Sequence, residues 1–150
     1  MAMAAKPIRG MKCMNAEVFL DTNIVVYSFD SGDRFRHERA KSRLNELYSR
    51  HACVAVSVQV LQEFFNVMMR KGASPAILRE AVECYMWRDV VENTCTLLRV
   101  AIAVQQTFQL SFYDANIVAA AQMSGAKELW TEDLNTGQDY GGVVAVNPLV

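Results

Sequence analysis

The segment Val18-Phe19-Leu20-Asp21-Thr22-Asn23 decides how this chain is interpreted, because a carboxylate directly follows an apolar run. A short apolar run of this kind is typical of a buried strand, which we predict from Glu17 to Leu20. Asp21 would then lie at the carboxyl end of that strand. Taken alone, Asp21 also suits a helix N-cap, since its side-chain oxygen can accept a hydrogen bond from a free backbone N–H.

Three further carboxylates lie beside apolar segments, and these are Glu63, Asp114 and Asp133. Burying a carboxylate costs free energy unless it is paired or binds a cation. Two of the three have an ordinary structural interpretation: Asp114 fits a capping box that begins at Ser111, and Asp133 fits the polarity of a turn. Glu63 is harder to explain in this way, because it shares its helical stretch with several apolar residues.

Strand-like and helical segments alternate along the chain. We predict strands at residues 17–20, 52–56, 89–91, 129–131 and 143–146. We predict helices at residues 35–50, from Ser57 to about Lys71, from Ser74-Pro75 onward, from 94 to about 108, and from Ser111 to Gly125. This alternation predicts right-handed crossovers and a three-layer α/β/α fold with a mostly parallel sheet of about five strands.

Functional sites in such sheets form beyond the carboxyl ends of the strands. Asp21 and Asp133 fall at those ends, while Glu63 and Asp114 lie early in helices that start near the same edge. Two unit charges about 4 Å apart repel by roughly 4 kcal/mol at an effective dielectric near 20. Converging carboxylates therefore raise one another's pKa or require a cation. Mg²⁺ or Mn²⁺ fits best, because both prefer oxygen ligands.

Composition limits the class of protein. The chain has 150 residues, of which 52% are hydrophobic and 21% charged, with a net charge of -1. We expect one domain over residues 16–150, preceded by a disordered tail over residues 1–15. The tail has no continuous apolar core, so we expect no secretory signal and a cytoplasmic protein with no membrane segment. The four cysteines show no C-x-x-C spacing and are expected to be reduced thiols, mostly in the core.

Four ordered motifs carry a family resemblance: Phe19-Leu20-Asp21-Thr22-Asn23, Val60-Leu61-Gln62-Glu63-Phe64, Ser111-Phe112-Tyr113-Asp114-Ala115 and Thr131-Glu132-Asp133-Leu134. As a set they resemble a PIN-domain nuclease, and the end of the chain resembles the VapC-like toxins of bacterial type II toxin–antitoxin pairs. The resemblance covers about residues 16 to 150. No single motif is specific, but the ordered set is.

The resemblance implies a function and a set of site residues. Asp21, Glu63, Asp114 and Asp133 would be the catalytic, metal-binding carboxylates, and Asn23 and Thr131 would orient ligands or water beside the metal. It implies a Mg²⁺- or Mn²⁺-dependent endoribonuclease that forms a homodimer and is neutralised by a small antitoxin. The chain departs from the pattern at none of the four acids.

Substrate recognition is less specific in the sequence. Arg36, Arg39 and Arg43 can share one helix face and contact RNA phosphates, although an ordinary solvated face is an equally good interpretation. The aromatic side chains Phe108, Phe112, Tyr113 and Trp130 are expected in the core and not as base-stacking platforms. Two alternative functions remain: a non-catalytic PIN-like module that binds RNA or protein, and a haloacid-dehalogenase-like phosphohydrolase. The phosphohydrolase requires a second aspartate where this chain has Asn23.

Overall fold

The structure, a computed structural model, describes residue 13 and residues 15–150. Its strands are β1 (Val18–Leu20), β2 (Val54–Ser57), β3 (Asp89–Val91), β4 (Glu128–Trp130) and β5 (Val144–Val146). Its helices are α1 (Thr22–Phe29), α2 (Arg34–Ser49), α3 (Val58–Arg70), α4 (Pro75–Met86), α5 (Cys95–Phe108) and α6 (Phe112–Met123). The predicted tail over residues 1–15 lies outside the described residues except for Cys13 and Asn15.

All five strands form one parallel sheet in the order β3-β2-β1-β4-β5. The chain first adds strands on one side of β1 and then continues with β4 on its other side. The carboxyl ends of β1 and β4 therefore meet where the direction of strand addition reverses, which is the usual position of a site in such sheets. The predicted α/β fold with about five strands is confirmed.

The helices cover both faces of the sheet. Helix α1 packs against α2 and α3, α3 packs against α4, and α5 packs against α6. Right-handed crossovers place α1 to α4 on one face and α5 with α6 on the other. Helix α6 buries a row of small and branched side chains between Ala115 and Ala121 against β2 and β4. No helix in the described part of the chain is long and apolar enough to cross a bilayer.

Helix starts follow the capping signals in the sequence. The hydroxyls of Ser57, Thr94 and Ser111 each accept a hydrogen bond from the backbone N–H three residues later. Helix α1 was not predicted as a separate element. Its residues Ile24, Val25 and Val26 are β-branched and favour strands locally, but all three are buried against the core as a helix capped by Asp21.

The expectation of four reduced cysteines is wrong. Cys13 and Cys53 form a disulfide with a Cα–Cα distance of 6.0 Å, Cys95 is an exposed thiol and Cys84 a half-buried one. The pairing follows from topology, since β1 and β2 are parallel neighbours and the backbone N–H of Glu17 donates to the carbonyl of Cys53. Two segments 40 residues apart therefore meet at the amino ends of adjacent strands, which no local spacing reveals.

Candidate active site

Asp21 anchors the site at the carboxyl end of β1. Its side chain is buried, with Oδ1 accepting from the Thr22 backbone N–H at 2.7 Å and Oδ2 accepting from the Thr131 hydroxyl at 2.8 Å. Burial raises the pKa of Asp21 to about 6, the two hydrogen bonds oppose that rise, and repulsion from Asp133 and Glu63 adds to it. Asp21 is thus both the N-cap of α1 and a buried carboxylate whose negative charge is poorly solvated.

Thr131 connects Asp21 to Asp133 just beyond β4. The fully buried Thr131 hydroxyl donates to Asp21 and accepts from the Asp133 backbone N–H at 3.1 Å. The Asn23 amide donates to Asp133 Oδ2 at 3.1 Å. Burial raises the pKa of Asp133, with repulsion from Glu132 and Asp114 adding to the effect and the Asn23 bond opposing it. Asn23 and Thr131 therefore both hold predicted site carboxylates in place.

Glu63 reaches the same site from the second turn of α3. Its Oε2 accepts from the Thr22 hydroxyl at 2.6 Å, and its Oε1 accepts from the Gln59 amide at 2.8 Å. The Asn116 amide of α6 in turn donates to Gln59 Oε1. Both carboxylate oxygens of Glu63 are therefore held by polar side chains, and α1, α3 and α6 are joined through them.

Asp114 is the third residue of α6 and half-buried. Its backbone N–H donates to the Ser111 hydroxyl at 3.3 Å, so Ser111 caps the helix as predicted. Its carboxylate also acts on the site, because its charge contributes to the raised pKa of Asp133. The structure thus brings all four predicted acids to one edge of the sheet.

Three further residues belong to this network and were not predicted from the sequence: Thr22, Gln59 and Asn116. Each lies close to a predicted acid: Thr22 follows Asp21, Gln59 precedes Glu63 by one helical turn, and Asn116 follows Asp114 by two residues. Turn spacing on α3 was the available signal, since residues four apart on a helix are neighbours.

The carboxylates lie near one another without forming a ready chelate. Among residue 13 and residues 15–150, no three His, Cys, Asp or Glu side chains are grouped closely enough to hold one metal ion. The donor set nevertheless suits Mg²⁺, which binds through one or two carboxylates and keeps several waters or substrate oxygens. Burial is the main cause of the raised pKa values of Asp21 and Asp133, and repulsion between the acids adds to it, so a cation at this edge would stabilise both charges.

Two of the three arginines predicted to contact RNA, Arg36 and Arg43, already contact other side chains of the protein. Arg36 contacts Asp33 at 2.6 Å and Glu132 at 3.4 Å, and Glu132 also accepts from the Tyr27 hydroxyl. Arg43 pairs with Glu46 at 3.0 Å and stacks over the Trp130 ring. Arg39 is exposed. Since Glu132 adjoins Asp133, Arg36 is the arginine of the three that is linked directly to the edge of the site.

The prediction that four aromatic side chains lie in the core is half wrong. Trp130 is buried and Phe108 packs on Tyr140, but Tyr113 is 70% exposed and Phe112 is 41% exposed. The reason is position: Phe112 and Tyr113 form the first turn of α6, ahead of the row of buried residues that begins at Ala115. The first turn of α6 is therefore open to solvent, although most of the helix that follows is buried.

A family model for the PIN domain matches residues 18–137, which include all four acids. The chain belongs to the PIN domain family. Among solved structures, it is similar to one described as a toxin–antitoxin complex from Klebsiella pneumoniae, with a TM-score of 0.67, 26% identity, and coverage of 88% of this chain and 98% of that one. It also shares the fold of a Mycobacterium tuberculosis protein.

That protein is VapC20, described as a sarcin–ricin loop cleaving toxin. Its TM-score is 0.62 at 24% identity, with 78% of this chain and 92% of that chain covered. No curated protein sequence matches significantly. The PIN fold is confirmed, the chain shares that fold with a VapC toxin, and the dehalogenase-like alternative is therefore set aside.

Proposed function

We propose that this PIN-domain protein is a metal-dependent endoribonuclease and the toxin of a toxin–antitoxin pair. The observation that carries the proposal is the single edge of the sheet at which Asp21, Glu63, Asp114 and Asp133 lie. Thr22, Thr131 and Asn23 hold three of those acids through hydrogen bonds. Membership of the PIN family over residues 18–137 supports it independently.

The proposed cofactor is Mg²⁺ or Mn²⁺, held by Asp21 with Glu63, Asp114 and Asp133. When bound, the ion would act as a Lewis acid, lowering the pKa of a water molecule and neutralising negative charge on the phosphodiester. The protein's own part is to position the acids. Thr131 fixes the orientation of the Asp21 carboxylate, and Thr22 with Gln59 does the same for Glu63. The exposed side of Asp133 leaves room for substrate, with Asn23 limiting its rotation.

The proposed substrate is RNA, with its backbone phosphates approaching over α2. Arg36 is the best placed of the three predicted arginines, and it would exchange its contact with Glu132 for one with a phosphate oxygen. Arg39 and Arg43 would contribute further along the same helix. We also propose that residues 16–150 form the nuclease domain, that the protein forms homodimers, and that it acts in the cytoplasm.

The proposed partner is a small antitoxin that covers the acidic edge. The similar Klebsiella pneumoniae structure is described as a toxin–antitoxin complex. An excess of carboxylates at an open edge favours a basic segment in such a partner, because opposite charges would relieve the repulsion there.

The deciding experiment is cleavage of defined RNAs by the purified protein. We would incubate transfer RNA, ribosomal RNA and an oligonucleotide containing the sarcin–ricin loop with Mg²⁺, Mn²⁺ or excess chelator. We expect cleavage with either metal and none with chelator. Asp21→Asn and Asp114→Asn should remain folded and lose at least a hundredfold in rate, while the matched Glu80→Gln change at an exposed acid of α4 should have no effect.

The alternative is a non-catalytic PIN module that binds RNA or protein. It predicts RNA binding without cleavage under every metal condition. Cleavage that persists in chelator, or in both aspartate variants, would reject the proposed mechanism.

A further inference from the structure

An open cleft lies beside the carboxylates, between the starts of α5 and α6. We define this amide cleft by six of its lining residues: Gln59, Gln62, Asn93, Phe112, Tyr113 and Asn116. Its volume is about 420 Å³, within the range of ~300–1,000 Å³ typical of small-molecule sites. The hydrolysis proposed above uses neither its aromatic rings nor its outer amides.

The aromatic wall of the amide cleft is open to solvent. The Phe112 and Tyr113 rings meet edge to face, with centroids 5.7 Å apart and an interplanar angle of 72°. Phe112 thereby braces the Tyr113 ring, which remains 70% exposed. An exposed ring held in this way offers a flat apolar face to a planar ligand.

The start of α5 lines the cleft with Thr94, Cys95, Leu97 and Leu98, and apart from the aromatic wall the remaining lining residues are amides. None of the lining residues in the described part of the chain is charged. Gln62 and Asn93 are exposed and contact each other at 3.5 Å, so their amides can supply both donors and acceptors. Among the residues that the structure describes, no arginine or lysine lines the cleft, which makes it a poor receptor for a phosphate. A flat apolar face beside neutral donors and acceptors matches the chemistry of a nucleobase.

The amide cleft shares two residues with the hydrogen-bond network of the candidate active site. Asn116 donates to Gln59 and Gln59 donates to Glu63, so two of the lining residues belong to the network that holds a site carboxylate. Tyr113 directly precedes Asp114 in the sequence. A base bound in the cleft would therefore belong to a nucleotide adjacent to the phosphate that lies at the carboxylates.

We propose that the amide cleft receives an unpaired nucleobase of the RNA substrate, stacked on Tyr113 and hydrogen-bonded by the amides. This inference rests on the proposed function for its choice of RNA as ligand. Stacking of one base on an aromatic side chain is worth about 1–3 kcal/mol, which changes affinity by roughly five- to 140-fold. Single-stranded or looped RNA is the substrate class that can present such a base.

The test is RNA binding by variants of Tyr113. The probe is a short, fluorescently labelled single-stranded RNA of mixed sequence, titrated in chelator so that no cleavage is expected. We expect Tyr113→Ala and Tyr113→Leu each to weaken binding by about tenfold, because neither retains an aromatic face. Tyr113→Phe should bind within about twofold of wild type. Ile77→Ala, at an exposed apolar position on α4, is the matched control and should bind like wild type.

A second probe separates base recognition from phosphate recognition. An oligonucleotide of the same length with abasic positions should bind wild type and Tyr113→Ala equally, because it has no base to stack. Equal losses for both probes would overturn the inference, as would wild-type affinity in Tyr113→Ala or an absence of RNA binding by wild type. Intact RNA binding in Tyr113→Ala together with lost binding of an antitoxin would reassign the cleft to a protein partner.

Cleavage in Mg²⁺ distinguishes this inference from the proposed function. If RNA binding depends on Tyr113 but no RNA is cleaved, base binding in the amide cleft is supported and the nuclease activity is rejected. If Tyr113→Ala cleaves RNA at the wild-type rate, base binding in the amide cleft is rejected and the nuclease activity is still supported. Support for both requires kcat/KM to fall about tenfold in Tyr113→Ala and Tyr113→Leu and to recover in Tyr113→Phe.

Discussion

At the scale of single residues, Asp21 combines a favourable role with a costly one. As the N-cap of α1 it accepts a backbone hydrogen bond that stabilises the helix start. As a buried carboxylate it is ionised at the expense of folding free energy, which is why its pKa lies near 6 and not near its usual 3.8. Such a cost is expected where charge is kept for function, here the proposed binding of a cation.

The cost at Asp21 predicts how the metal-free protein responds to pH. The folded-state pKa lies above the unfolded value, so the folded protein binds the proton more tightly. Unfolding free energy should therefore rise as pH falls from 7 through about 6 towards 4.5, by at most about 3 kcal/mol. Urea denaturation in chelator at pH 7 and pH 5 measures the effect.

Asp21→Asn should remove that pH dependence while keeping the cap, since asparagine is an equally good N-cap. In chelator at pH 7 the variant should be more stable than wild type, and Mg²⁺ should no longer stabilise it. A variant less stable than wild type at pH 7 in chelator would show that the buried charge is not costly.

Thr131 makes a separate prediction, because its one hydroxyl serves both Asp21 and the Asp133 backbone. Thr131→Val keeps the shape and removes both bonds, leaving a buried carboxylate oxygen without its donor. We expect a loss of roughly 1–3 kcal/mol in unfolding free energy and a fall in kcat. Thr131→Ser should restore kcat, whereas full activity in the valine variant would show that Thr131 does not position Asp21.

At the scale of elements, the strands and most helix starts could be predicted from sequence. Local signals suffice where they agree with the fold, as at Ser57 and Ser111. Helix α1 was missed because its β-branched residues favour a strand until tertiary packing decides. The exposure of Tyr113 was not predicted, because it depends on which turn of α6 is the first to pack against the core. Gln59 and Asn116 belong to the site only through contacts between α3 and α6.

The disulfide that joins the segments before β1 and β2 gives a prediction at this scale. Cross-linking residues 40 apart lowers the entropy of the unfolded chain, which stabilises the fold by up to about 4 kcal/mol. Cys13→Ser should lower the thermal midpoint of the oxidised protein and should match wild type in excess dithiothreitol. Cys95→Ser, at the exposed thiol, is the control. If the Cys13→Ser protein is as stable as oxidised wild type, the disulfide between Cys13 and Cys53 does not stabilise the fold.

At the scale of the whole molecule, the order β3-β2-β1-β4-β5 is what gathers residues that are up to 112 positions apart in sequence, from Asp21 to Asp133. The fold supplies the convergence, and the hydrogen bonds of Thr22, Thr131 and Asn23 supply the orientation. The family and its edge of carboxylates were predictable from the ordered motifs. The distances between those carboxylates were not predictable from the sequence, because they depend on how α3 and α6 pack against the sheet.

The toxin proposal makes a prediction about the intact molecule in cells. Induced expression of the wild-type chain alone should arrest bacterial growth, and co-expression of the protein encoded beside it should restore growth. Asp114→Asn should express to the same level without arrest, since only cleavage is removed. In solution, light scattering should give a mass of twice 16.8 kDa. Arrest by Asp114→Asn equal to that by wild type would separate toxicity from the carboxylate site.

The most direct test of the carboxylate site as a cation site is Mn²⁺ binding, followed by the paramagnetic resonance signal of the free ion. We predict that wild type removes Mn²⁺ from solution with saturable stoichiometry, that Mg²⁺ competes, and that Glu80→Gln behaves identically. Asp21→Asn should remove little or none. Mn²⁺ binding unchanged in Asp21→Asn, or no saturable binding by wild type, would contradict the site.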